Sequence, residues 1–234
     1  MLATITAAVL TLVLVVGLPA LSYKTARNPA VRDLPRLNLY LSAVLSQWLL
    51  TLVASGIVYL VLPSVFMKGF AATPLRPFLA WSAGIAAASL LGVSLVVWCQ
   101  RRGWLPAESD LLYRLIPETP QEKFWAAVIV APTAAFCEEF LFRGFLLSQF
   151  TVWLHRPCWA WVASSVAFGL AHFYQGWSGM VRAALLGALL ACPVVYWGSL
   201  YPAILAHWMI DGVAFVWLGP WMRRQSAVAE DDAP

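Results

Sequence analysis

Residues 1–23, 37–67 and 77–100 contain no charged side chain. Each stretch exceeds the roughly 20 apolar residues that a helix needs to cross a bilayer. Lipid offers no hydrogen-bond partner to the backbone, so a spanning segment must satisfy its own N–H and C=O groups, as a helix does. An ordinary soluble domain carries about 25% charged residues, and this chain carries 11%, with 62% hydrophobic. The formal charge of +4 is spread between the apolar runs. It forms no basic face of the kind that binds nucleic acid, so a nucleic-acid partner is not expected.

Hydropathy along all 234 residues predicts an all-α polytopic transmembrane bundle of about seven spans, within a range of six to eight. The expected spans are 4–23, 38–62, 78–99, 124–154, 158–172, 180–197 and 203–218. Between the third and fourth, residues 104–120 place Leu111, Leu112, Leu115 and Ile116 among charges at helical spacing, the pattern of an amphipathic helix lying in the interface. The chain divides into amino-terminal helices with that interfacial helix (1–120), a helical core (121–220) and a short charged tail (221–234), all within one integral membrane domain. Residues 124–154 would make a helix of about 46 Å, longer than a hydrocarbon core of about 30 Å. That span must tilt, protrude or break near Pro132, whose ring and missing N–H disrupt the helix ladder.

Lys and Arg in alternate loops set the orientation. Lys24, Arg27, Arg32, Arg36, Arg101, Arg102, Arg114, Lys123 and Arg182 fall in odd loops and Arg223 and Arg224 in the tail, against Lys68, Arg76 and Arg156 in even loops. The amino terminus is therefore expected outside, the carboxyl terminus in the cytoplasm, and the host membrane is expected to be the cell (inner) membrane.

Ionisable groups inside apolar segments cost about 2.5–3.5 kcal/mol each on insertion scales and mark candidate function. Here they gather as Glu138, Glu139 and Arg143, then His172, then His207 and Asp211. At about 100° per residue Arg143 lies about 40° from Glu139 and about 140° from Glu138, so Arg143 pairs with Glu139 in the favourable i to i+4 order. Glu138 is left without a local cation, as suits a general base or acid. His172 follows Phe168 by four residues, and His207 precedes Asp211 by four; each pair shares a helix face. A carboxylate, a histidine from a second helix and a His/Asp face from a third supply water activation and oxyanion donors, the two requirements of amide hydrolysis.

Glu138-Glu139-Phe-Leu-Phe-Arg143 has the form EExxxR, Phe168-Gly-Leu-Ala-His172 the form FxxxH, and His207-Trp-Met-Ile-Asp211 the form HxxxN/D, in that order. With the approach Gly198-Ser199-Leu200-Tyr201-Pro202-Ala203-Ile204-Leu205-Ala206-His207, these residues make the chain resemble the CPBP or Abi family of intramembrane glutamic endopeptidases, which includes the type II CAAX prenyl endopeptidases. The resemblance covers about residues 123–219. It implies that Glu138 and His172 activate water, that His207 and Asp211 form the oxyanion side, and that Glu139, Arg143 and Phe168 support them. It also implies a membrane-associated protein or peptide substrate, lipidated in the prenyl branch of the family, and no cofactor. CAAX proteases often carry Asn where this chain has Asp211. An ionised carboxylate cannot donate a hydrogen bond, so Asp211 is either protonated or orients His207.

Two other functions use the same residues. A zinc-dependent protease would draw its ligands from Glu138, His172 and His207, although no HExxH occurs and Arg143 sits close by. A bacteriocin-immunity or membrane-assembly protein would bind a peptide without cleaving it. Depth counting also raises a conflict: measured from the outer ends of their own spans, His172 and His207 would miss each other by about 13 Å in depth. The expected remedy is a connection at 173–179 that folds back into the protein, beside the substrate entrance.

Overall fold

The structure, a computed structural model, describes residues 2–61 and 69–219. The tail at 221–234 and the second-loop cation Lys68 lie outside the described residues. Helices dominate: α1 (Ala3–Arg27), α2 (Arg36–Leu60), α3 (Leu75–Arg101), a short α4 (Asp110–Leu115), α5 (Pro120–Leu154), α6 (Pro157–Ala171), α7 (Gly176–Trp197) and α8 (Tyr201–Leu218). Six of these, counting α7 with the turn that leads into it, are long and apolar enough to cross a membrane, and α6 is a shorter apolar helix. The chain is a transmembrane helical bundle, as predicted. Among the described residues the only β-contact is an isolated antiparallel bridge between Phe70 and Ser199.

The long fourth span becomes the centre of the bundle. Half of the most apolar window of α5 is buried, against 22% for α1 and 17% for α2. Thr119 starts it with a capping box: its hydroxyl accepts from Glu122 N–H while the Glu122 carboxylate accepts from Thr119 N–H. The same carboxylate holds Arg36 at 2.7 Å, tying the start of α2 to the start of α5. Pro132 does not break α5. A wider π-type turn at Ala126–Val130 comes just before it and gives the proline ring room where a regular ladder would clash. A second π-type segment, Glu139–Leu146, carries the charged motif. From it Phe140, Leu141, Phe142, Phe145 and Leu146 pack against Ala7, Leu10 and Leu14 of α1 and Ala54 and Val58 of α2.

The interfacial helix is shorter than expected. Only Asp110–Leu115 is helical, capped by the Ser109 hydroxyl on Leu112 N–H, because Pro106 and Pro117 stand on either side and neither supplies an N–H to a helix ladder. The stretch 104–119 instead forms a strap. Tyr40 O–H donates to Leu115 O at 2.7 Å and holds the strap to α2.

Helix α6, about 22 Å long at 1.5 Å per residue, falls short of a bilayer core. It packs tightly against α7: a Cβ on Gly169 would come within 2.7 Å of both Met180 O and the Ala184 side chain. His172 therefore caps the end of a short helix instead of lying deep in a long one, and equal-depth counting fails at that point. The connection that follows is tied down. Phe173–Gln175 makes one 3₁₀ turn and Gly176 takes φ +87, a left-handed conformation that favours glycine. Ser109 N–H donates to Gln175 O at 3.0 Å, Tyr174 N–H to Ser22 Oγ at 2.8 Å, and Ser178 Oγ to Pro106 O at 2.8 Å.

Candidate active site

Helices α5, α6 and α8 bring all three clusters together. Glu138 Oε2 stands 3.6 Å from His172 Nε2 and 3.9 Å from His207 Nε2, so the 13 Å mismatch does not occur. His207 Nε2 is also 3.5 Å from Asp211 Oδ2, one turn further along α8. Glu138, His172, His207, Asp211 and Phe168 line one cavity of about 230 Å³. Its remaining wall is largely apolar and includes Leu112, Leu115 and Ile116 of the strap and Phe215 and Leu218 of α8.

The two adjacent glutamates differ sharply. Arg143 Nη1 donates to Glu139 Oε1 at 2.9 Å, as the i to i+4 spacing predicts, and both side chains are sealed from solvent. The same oxygen accepts from His207 Nδ1 at 2.8 Å, a link across 68 residues of sequence that spacing does not reveal. Glu138 keeps 16% of its side chain accessible, His172 14% and Asp211 25%. The accessible trio faces the cavity, and the Glu139–Arg143 pair stands behind it.

Phe168 joins the two layers. Its carbonyl accepts from His172 Nδ1 at 2.8 Å, and its ring lies 4.0 Å under the Arg143 guanidinium, a favourable cation–π distance. Gly187 makes that stack possible, since a Cβ there would stand 3.1 Å from both Arg143 Nη2 and the Phe168 ring.

These hydrogen bonds set the tautomers. A carbonyl only accepts, so His172 Nδ1 carries a proton, and in the neutral ring Nε2 presents a lone pair towards Glu138. His207 Nδ1 likewise donates to Glu139, and its Nε2 carries a proton only when the ring is an imidazolium.

Sequence reasoning missed Gln47 and Arg182, which line the cavity together with Tyr174 and Gln175 of the connection expected beside the substrate entrance. Gln47 Nε2 donates to Glu138 Oε1 at 2.9 Å, leaving Oε2 as the oxygen without a hydrogen-bond partner. An amide midway along a charge-free span was the available signal. Arg182, assigned from hydropathy to the fifth loop, lies inside α7, where its guanidinium pairs with Glu108 of the strap and with Gln175. Buried Glu108, half-buried Gln175 and a place on the cavity wall offset its cost in an apolar segment. Among the described residues, no group of three or more His, Cys, Asp or Glu side chains is arranged to hold a metal ion.

Carboxylates and imidazoles thus gather around one cavity inside a bundle of membrane-spanning helices. Residues 120–213 match the family model described as Type II CAAX prenyl endopeptidase Rce1-like. The match spans all three motifs, from α5 to the end of the HxxxD turn in α8. No curated protein and no solved structure matches the chain. The family is one of proteases, and it implies a membrane-associated peptide substrate.

Proposed function

We propose that this chain is an intramembrane glutamic endopeptidase that hydrolyses a peptide bond of a membrane-associated, lipidated protein or peptide. One observation carries the reading: Glu138 Oε2 and His172 Nε2 are both acceptors, facing each other across 3.6 Å at the wall of a cavity. That separation is too long for a direct hydrogen bond, and it suits a water that donates one proton to each. Glu138 takes the proton as the water oxygen attacks the scissile carbonyl, the C–N bond breaks, and the proton passes to the leaving amine. His207, as an imidazolium held by Glu139, and Asp211 stabilise the oxyanion from the α8 side. The apolar wall from the strap and α8 takes the substrate's lipid. The chain lies in the cell membrane with its amino terminus outside and its carboxyl terminus in the cytoplasm.

The test uses the full chain in phosphatidylcholine vesicles with a fluorogenic peptide bearing a farnesylated cysteine near its carboxyl terminus. Wild type should cleave it and Glu138→Gln should not. Turnover is expected to survive removal of metals by a chelator; loss on chelation with recovery on added zinc would instead support the zinc-dependent protease. An inert, folded wild type that binds the peptide would support the immunity or assembly protein.

A further inference from the structure

Tyr174 sits in the turn between α6 and α7, its ring 5.9 Å from the His172 imidazole, on the cavity that also holds Glu138 and Asp211. Its hydroxyl ends a chain of hydrogen bonds whose direction is fixed at the far end. Arginine can only donate. Arg182 gives Nη1–H to Glu108, whose side chain is fully buried, and Nη2–H to Gln175 Oε1 at 2.8 Å. The Gln175 amide therefore turns its oxygen to Arg182 and its nitrogen to Tyr174, which it reaches at 3.1 Å. An amide NH₂ only donates, so the phenolic oxygen is the acceptor, and its own proton must go elsewhere. Among the described residues no acceptor takes it. The backbone is also clamped, with Tyr174 N–H on Ser22 Oγ and Tyr174 C=O accepting from Ser109 Oγ.

We propose that the Tyr174 hydroxyl donates a hydrogen bond to a negatively charged oxygen of the substrate. This rests on the peptidase reading above. Donation from Arg182 through Gln175 polarises the hydroxyl and strengthens it as a donor, and the fixed turn holds it ready before substrate arrives. The hydroxyl adds a donor from the α6–α7 turn to those on α8, since the Nδ1 protons of His172 and His207 are already committed to Phe168 and Glu139. Two substrate oxygens share the required chemistry: the oxyanion of the tetrahedral intermediate and the terminal carboxylate of a peptide cleaved near its end. Gln175, Arg182 and Glu108 are positioning residues that act through the hydroxyl.

The experiment compares wild type, Tyr174→Phe and Gln175→Met in phosphatidylcholine vesicles, using two farnesyl-cysteine fluorogenic peptides that differ only in ending as a free acid or a carboxamide. Tyr174→Phe removes one oxygen atom. Donation to the oxyanion predicts a kcat lower by about 10²–10³-fold on both peptides with KM held. Donation to the carboxylate predicts a raised KM on the free acid alone. In either case Gln175→Met should show a smaller change in the same parameter. Wild-type kcat and KM for Tyr174→Phe on both peptides would overturn the proposal. So would a loss that tracks loss of folded protein and is reproduced by Ser109→Ala, which loosens the turn without touching the hydroxyl. An inert wild type would sink the peptidase reading and this proposal together; an active wild type with undiminished Tyr174→Phe would sink this proposal alone.

Discussion

Exchanging each of the two adjacent glutamates for glutamine should damage different properties of the protein. Glu138→Gln leaves a side chain of the same shape whose amide oxygen still accepts from Gln47, now 2.9 Å from Glu138 Oε1. Its other carboxylate oxygen has no hydrogen-bond partner to lose. Stability should therefore stay within about 1 kcal/mol of wild type, within the spread of ordinary single substitutions, while loss of a positioned base costs about 10²–10⁴-fold in turnover. Glu139→Gln acts the other way. Glu139 is the carboxylate at 2.9 Å from Arg143, with both side chains sealed from solvent. Neutralising it leaves a buried guanidinium without its counter-ion, a change that costs about 3–5 kcal/mol when one partner of a buried pair is removed. The lower end is expected, because the amide oxygen still accepts from Arg143 and His207. Peptide cleavage and denaturant-induced unfolding, followed by tryptophan fluorescence in the same detergent preparation, measure both quantities. A Glu139→Gln protein as stable as wild type, or a Glu138→Gln protein that turns over normally, would refute the division of labour between these neighbours.

Gln47→Leu removes the hydrogen bond that orients Glu138; such bonds to a charged group contribute about 1.5–3 kcal/mol, so kcat should fall about 10–100-fold with little change in KM, as steady-state kinetics will read. Asp211→Asn is expected to stay within about tenfold of wild type, since an amide N–H donates to an oxyanion as a protonated acid does. An inactive, folded Asn variant would assign Asp211 to holding the His207 imidazolium by charge. Gly187→Ala places a methyl 3.1 Å from both Arg143 Nη2 and the Phe168 ring and should cost about 1–3 kcal/mol by overpacking, read as a lower unfolding midpoint.

Local rules carried much of this molecule. Charge-free runs announce spanning helices because lipid penalises ionisable groups and unpaired backbone wherever they occur, so the order of α1 to α8 was visible in hydropathy. The Glu139–Arg143 pair and the shared face of His207 and Asp211 were legible because one helical turn brings residues four apart together. The strap was overread as a continuous helix although two prolines punctuate it, and Arg182 was read as a loop cation although it belongs to α7. What only the tertiary structure decided joins distant parts of the chain: Glu139 to His207 across 68 residues, Gln47 to Glu138 across 91, and Glu108 to Arg182 across 74. Helical periodicity fixes which way a side chain leaves its own helix. Which helix it then meets depends on packing, here on a short α6 held close to α7 at Gly169 and on a π-widened α5 at the centre of the bundle.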